Sequence, residues 1–295
     1  MSGILCIGAS GQLARSLKAL DRDIKCFGRP DADLMDTDSL LETLARELPS
    51  GVINAAAYTA VDQAESEQEM ARAVNNEAAG RLAAICKAKN FPLIHISTDY
   101  VFDGLKGAPY VETDETSPVN VYGKTKLDGE RAVWDANPEA LIVRTAWVHS
   151  PYGHSFTKTM MRLLIQRDEV SVVDDQFGSP SYAPHLAETL VTMMDHGFSA
   201  ARHGGERLYH LAGTGHASRL DWVKEIAGAL EEARFEPAVI HPVSSNAFPT
   251  SARRPPDTRL DCSLVKEELG LALPDWREGV RACVKALLQH HGEQA

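Results

Sequence analysis

Ile4-Leu5-Cys6-Ile7-Gly8-Ala9-Ser10-Gly11-Gln12-Leu13-Ala14 decides the fold of this chain. Four apolar residues end in glycine, and a helical pattern with Leu13, Leu17 and Leu20 on one face follows at once. An apolar run, a glycine turn and a helix form the start of a βα unit. The alternation continues outward. Further strands are expected at 24–27, 52–53, 93–96 and 141–143, and helices at 12–20, 39–48 and 69–89. Short apolar strands separated by helices require crossovers and a parallel sheet, covered on both faces.

After about Thr145 the pattern loosens. Gly153, Gly178, Pro180 and Pro184 break the chain, and helices resume at 186–194, 220–230 and 276–288. A polar stretch over 242–256 reads as turns. The fold class is therefore α/β, a Rossmann-type doubly wound parallel sheet with a small, interleaved C-terminal substrate-binding lobe. Residues 1–150 form the dinucleotide-binding region with the catalytic residues. Residues 151–295 form mainly the second lobe, with segments returning to the first.

The chain has 295 residues, long enough for a sizeable core, with 30 Lys+Arg against 41 Asp+Glu and a net charge of −11. That balance repels nucleic acid and anionic membranes, so neither is expected as a partner. No apolar run reaches the length of a membrane span. The first eight residues lack a basic n-region, so no signal peptide is expected. Five scattered cysteines, Cys6, Cys26, Cys86, Cys262 and Cys283, without a C-x-x-C pair, suit a reducing cytoplasm. His290-His291 is too short for a metal site and reads as a solvated helix end.

Gly8, Gly11 and Ala14 give G-x-x-G-x-x-A at the first βα junction. Glycine lets backbone approach a pyrophosphate, and the helix start supplies amide donors. Gly8, Gly11, Gln12 and Leu13 are therefore expected at a cofactor. The second strand ends in Cys26-Phe27-Gly28-Arg29-Pro30, with arginine where an NAD-binding carboxylate would stand. A guanidinium suits a 2′-phosphate, which favours NADPH and leaves NADH as the alternative; Arg29 reads equally as a solvated loop residue. Asp33 and Leu34 lie where adenine would rest. Ala55, Ala56 and Ala57 are small enough for close backbone approach.

Ile96-Ser97-Thr98-Asp99-Tyr100 lies at the carboxyl end of a strand, where open α/β sheets hold ligands. Tyr122-Gly123-Lys124-Thr125-Lys126 places Tyr122 and Lys126 one helical turn apart on one face. An ammonium beside the phenol is expected to lower its pKa. Tyr122 would then deliver a proton to a carbonyl oxygen as hydride reaches its carbon, with Thr98 bonded to the same oxygen.

With these segments in view, the chain resembles the dTDP-4-dehydrorhamnose reductase family of extended short-chain dehydrogenases/reductases. The resemblance runs through 54–65, 97–102, 117–126, 144–147, 175–180 and 254–260, nearly the whole chain. It implies NAD(P)H-dependent reduction of the 4-keto group of dTDP-4-dehydro-6-deoxy-L-mannose, giving dTDP-L-rhamnose. Carried over residue by residue, it implies Thr98, Tyr122 and Lys126 as the catalytic set. Gly11, Gln12, Leu13, Asp33, Leu34 and Ala55 to Ala57 become cofactor contacts, and Thr98, Asp99 and Trp147 contacts to the sugar nucleotide. Arg254 and Arg259 are expected to pair with the diphosphate, and each reads equally as a solvated loop residue.

Some members of that family dimerise around magnesium held by glutamates. The matching positions are Ser16, His185 and Arg277, none of them a carboxylate, so no structural magnesium is expected and a homodimer would lack that link. Three other readings compete. A 4,6-dehydratase would carry Asp-Glu after the threonine, whereas this chain has Asp99-Tyr100. An epimerase of another nucleotide-deoxysugar would keep and recycle its cofactor. A non-catalytic NADP-binding subunit, resembling the regulatory subunit of methionine adenosyltransferase, gains from the missing magnesium ligands and loses from the intact Thr98, Tyr122 and Lys126.

Overall fold

In the computed structural model, residues 3–196 and 207–292 are described, with side chains as far as Gln289. Met1, Ser2 and the side chains of His290-His291 lie outside the described residues. Strand β1 (Ile4–Ile7) leads through the glycine turn into helix α1 (Gln12–Lys18), then β2 (Ile24–Phe27), α2 (Thr37–Glu47) and β3 (Gly51–Asn54). Two short helices, α3 (Val61–Ala64) and α4 (Gln68–Arg72), precede a π turn over Ala73–Ala78, α5 (Ala79–Lys89) and β4 (Leu93–Thr98). Helix α6 (Val121–Ala136) and β5 (Leu141–Thr145) complete the first lobe.

The second half alternates short pairs with longer helices. It runs β6 (Val148–His149), α7 (Phe156–Gln166), β7 (Glu169–Val173), β8 (Phe177–Gly178), β9 (Ser181–Tyr182) and α8 (Ala183–His196). Then come β10 (Arg207–His210), β11 (Ala217–Ser218), α9 (Arg219–Glu232), β12 (Val239–Val243), α10 (Ser263–Leu269) and α11 (Trp276–Gly292).

Six strands form one parallel sheet in the order β10-β5-β4-β3-β1-β2. The chain leaves β1 for β2 on one side and returns to β3 on the other. The strand order thus reverses between β1 and β3, the crevice where such sheets hold ligands. One face is covered by α1 and α8, with Leu13, Leu17, Leu186 and Leu190 against Ile4, Cys6 and Ile53. The other is covered by α2, α5 and α6, with Leu40, Leu44, Leu82 and Val133 against Leu5, Ile7 and Val52. Burial on both faces accounts for strands that are apolar throughout. A separate core in the second half gathers Met161, Leu164, Trp222, Ile226, Trp276 and Val284.

Two sequence expectations are corrected. The helix expected over 69–89 is continuous but not uniformly α, because its turn at Ala73–Ala78 widens to π. There Asn75 reaches the backbone of Tyr58, accepting from its N–H at 2.8 Å and donating to its carbonyl at 3.1 Å. The stretch expected as turns from residue 242 begins instead inside β12, which pairs only with β7. Pro242 is tolerated there because an edge strand leaves one side of its backbone unpaired.

Candidate active site

The reactive side chains stand at the carboxyl ends of β4 and β5 and on the first turns of α6. Asn120 caps α6, its Oδ1 accepting from the Gly123 N–H at 2.8 Å, while its Nδ2 donates to the Arg253 carbonyl at 2.9 Å. This fixes the helix start on both sides. A Cβ at Gly123 would stand 2.1 Å from the Tyr100 carbonyl oxygen. Glycine therefore lets α6 close onto the turn after β4, which brings Tyr122 to Thr98.

Thr98, Asp99, Tyr122, Lys126, Trp147, Gly11, Gln12, Leu13, Ala55 and Ala57 line one cleft of about 570 Å³, joined by Ser10, Thr59 and Phe156. Gly8 does not line it but shapes its floor, with φ +114° and a Cβ position 3.1 Å from the Ala56 amide nitrogen. At Gly11, which begins α1, a Cβ would meet nothing within 4 Å, and no side chain caps the helix. The first amides of α1 are thus open to the cleft. Ala56 lies behind, donating its N–H to Asn54 Oδ1 at 3.2 Å.

Other expected residues stand apart from this cleft. Arg29 is exposed at the end of β2, with no partner among the described residues. The Asp33 carboxylate accepts from the Met35 N–H at 3.0 Å, and Leu34 is buried in the core under α2. Arg254 donates to both oxygens of Asp62, at 3.1 and 2.6 Å. Arg259 does the same to Asp257, at 2.8 and 2.6 Å. Both arginines are therefore already neutralised within the chain rather than solvated.

Thr98 and Tyr122 line the cleft together, and burial raises the phenol well above its ordinary value, with the Thr98 hydroxyl acting the other way. The sequence expectation of a lowered pKa is thus corrected. Lys126 Nζ donates to the Ile96 carbonyl at 2.7 Å and lies 3.3 Å from His95 Nε2. Lys126 is 2% exposed, and burial lowers its pKa to about 8, while the Glu130 carboxylate acts the other way. His95, buried beside it, is held well below the usual imidazole range, so it is neutral.

Asp99 is also buried. Its carboxylate accepts from Thr98 Oγ1 at 3.1 Å and from the Thr258 hydroxyl. Desolvation raises it to about 6 despite those bonds and the nearby Arg219. Beneath the site, Arg144 donates from Nε and Nη2 to the two oxygens of Glu130, at 2.9 and 2.7 Å. Ser97 donates to the same carboxylate. This buried pair joins β5 to α6 one turn beyond Lys126.

Trp147 adopts a left-handed backbone with φ +46° and stacks on Trp222 with centroids 5.5 Å apart. A Cβ at Gly178 would stand 2.3 Å from its indole. Strain of this kind persists only where the surroundings impose it, and it concentrates at ligand sites. Against that indole, 3.8 Å from its ring centroid, lies the Arg219 guanidinium, a residue that sequence reading placed next to a helix and assigned no role.

The RmlD substrate binding domain family matches residues 1–289 of this chain. The chain belongs to that family. Its relatives include a dTDP-4-dehydrorhamnose reductase of Sinorhizobium fredii, 40% identical over 284 residues, 95% of this chain and 96% of the relative. Another, from Burkholderia thailandensis, is 41% identical over 297 residues, 97% of this chain and 99% of the relative. The solved structure of the Bacillus anthracis dTDP-4-dehydrorhamnose reductase in complex with NADP is similar at TM-score 0.87. It is 32% identical, covering 96% of this chain and 98% of that one. This RmlD-family chain also has no helix, among its described residues, long and apolar enough to cross a membrane. Nor do those residues include a cluster of three or more His, Cys, Asp or Glu side chains placed to hold a metal ion.

Proposed function

We propose that the protein reduces the 4-keto group of dTDP-4-dehydro-L-rhamnose to dTDP-L-rhamnose, using NADPH. The reading rests above all on the shared cleft of Thr98, Tyr122 and Lys126, reached from the open first turn of α1. The amides of Gln12 and Leu13 and the small faces of Gly11, Ala55 and Ala57 would hold the dinucleotide. When bound, it supplies the hydride. Arg29, exposed and without a carboxylate partner, is the residue suited to a 2′-phosphate, which favours NADPH over NADH.

Tyr122 acts as proton donor. Burial keeps its phenol protonated at neutral pH, as a donor to the carbonyl oxygen requires. Thr98, beside Tyr122 in the same cleft, offers a second hydrogen bond to the same oxygen. As the proton leaves, negative charge develops on the Tyr122 oxygen, and Lys126 in its ammonium form stabilises that charge. Tyr100, in the position a dehydratase fills with glutamate, keeps its proton near neutral pH because burial raises its phenol too, so it cannot serve as the base that elimination needs. Elimination chemistry is thereby disfavoured. One observation favours an epimerising relative: the Asp99 carboxyl near 6 is a second acid–base group beside Tyr122.

The test is loss of NADPH absorbance with enzymatically generated dTDP-4-dehydro-L-rhamnose, with Tyr122→Phe alongside. The variant should lose about 10²–10⁴-fold in rate. Stoichiometric oxidation and a single rhamnose product support reduction, whereas epimerised sugar without net oxidation sinks it. A folded, NADPH-binding protein that turns over no keto-sugar leaves the regulatory-subunit reading.

A further inference from the structure

We infer that Arg219 receives the diphosphate of the nucleotide-sugar substrate, the role expected from the sequence for Arg254 and Arg259. The inference rests on the nucleotide-sugar reading given above and adds the residue that recognises the anion.

Arg219 begins α9, where Ser218 and Asp221 form a reciprocal cap and the Arg219 N–H donates to the Gln176 carbonyl at 3.1 Å. Its position is therefore set by backbone. Its guanidinium lies 3.8 Å from the centroid of the Trp147 ring, 4.9 Å from that of Phe156 and 5.7 Å from that of Trp222. Trp147 and Phe156 both line the cleft. The cation thus lies directly behind two aromatic side chains of the cleft wall, packed against their faces.

A guanidinium has five N–H donors. Among the described residues, Arg219 makes no ion pair, and Tyr100 and Asp99 are the neighbours that favour its charge. Burial pulls it below the usual arginine value, so its charge is partly desolvated and not matched at contact distance. The charged groups that act on it are Asp99 and Arg254, the latter paired with Asp62. The Asp99 oxygens are taken by Thr98 and Thr258, and Asp62 is taken by Arg254. A cation at the start of a helix also opposes the helix dipole, so the helix start itself does not favour its placement there. An anion bound to Arg219 would repair both defects, and a guanidinium fork fits phosphate oxygens.

The spacing suits a sugar nucleotide. The ketone must reach Tyr122, and the anomeric carbon that carries the diphosphate lies across the hexose ring. Tyr100, whose ring centroid is 5.8 Å from that of Tyr122, also interacts electrostatically with Arg219, so the proton donor and the guanidinium flank the same tyrosine.

The experiment compares wild type, Arg219→Met and Arg219→Lys in titrations with dTDP and with thymidine, followed by calorimetry, and in steady-state assays with the keto-sugar. A lost charged hydrogen bond predicts dTDP binding weakened roughly 10–100-fold in Arg219→Met, with thymidine changed less than about twofold. Arg219→Lys, which keeps the charge without the fork, should fall between. KM for the keto-sugar should rise in parallel, with kcat and NADPH affinity nearly constant. Equal loss of dTDP and thymidine, or dTDP binding at wild-type strength in Arg219→Met, overturns the inference. A wild type that binds no dTDP overturns it too, together with the substrate class. Arg219-dependent dTDP binding without NADPH turnover supports the inference and sinks only the reductase reading.

Discussion

Raising the pH through about 8 should switch the reaction off through Lys126. Its ammonium is enclosed between the Ile96 carbonyl and His95, and burial lowers its pKa to about 8. The sign follows from a depressed cation: the charged form is complete below that value and lost above it. The charged fraction is about 0.9 at pH 7, about one half at pH 8 and about 0.1 at pH 9. Tyr122, raised by its own burial, stays protonated across this window and contributes no limb. If the ammonium is needed to stabilise the Tyr122 oxygen, kcat/KM for NADPH should fall about fivefold from pH 8 to 9 and approach about tenfold per unit beyond, since kcat/KM reports ionisation of the free enzyme. The assay is initial-rate NADPH oxidation from pH 6.5 to 9.5 at constant ionic strength. Lys126→Met should be slow throughout, with that limb gone. A flat profile up to pH 9.5, or the same limb in Lys126→Met, would refute the role given to the lysine charge.

Two further outcomes test the surroundings of the site. Glu130→Ala leaves Arg144 charged and buried without its carboxylate, a change that costs about 3–5 kcal/mol, to be read from urea unfolding. A loss under about 1 kcal/mol would show that water or another group takes over. Arg29→Ala should raise KM for NADPH roughly tenfold and leave KM for NADH unchanged, as expected when one exposed charged contact to the 2′-phosphate is lost. Equal effects on both cofactors would return Arg29 to a loop residue.

Five strands of the sheet were legible as short, mostly apolar runs bounded by turn residues, with Gly8 and Gly11 punctuating the first, whereas β10, Arg207-Leu208-Tyr209-His210, carries no such run and was missed. Strand order was less accessible: β10 contributes four residues far along the chain and joins β5 only through tertiary packing. Tyr122 and Lys126 were readable together since helical spacing alone aligns them. Their ionisation was not, because it depends on how deeply α6 sinks onto β4, and Gly123 governs that approach. The arginines show a similar limit. Arg254 and Arg259 look like anion ligands in sequence, yet Asp62 and Asp257 already neutralise them, and Asp62 lies 192 positions away from Arg254. Arg219 carried one local signal, a cation directly after the Ser218 helix cap, where acidic residues are favoured.

The last strand of the large sheet has a consequence for how this protein can be divided. β10 covers one edge of β5, and α8 and α10 from the second half share a core with β1, β3 and α1. A fragment ending near residue 150 would bare the hydrogen-bonding edge of β5 and strip one face of the sheet. Such an edge recruits strands from other molecules. The cofactor-binding half is therefore not a portable cassette. Grafting a new specificity onto this scaffold means exchanging the loops and helix starts around Trp147 and Arg219, while the chain that crosses back into the sheet is kept whole.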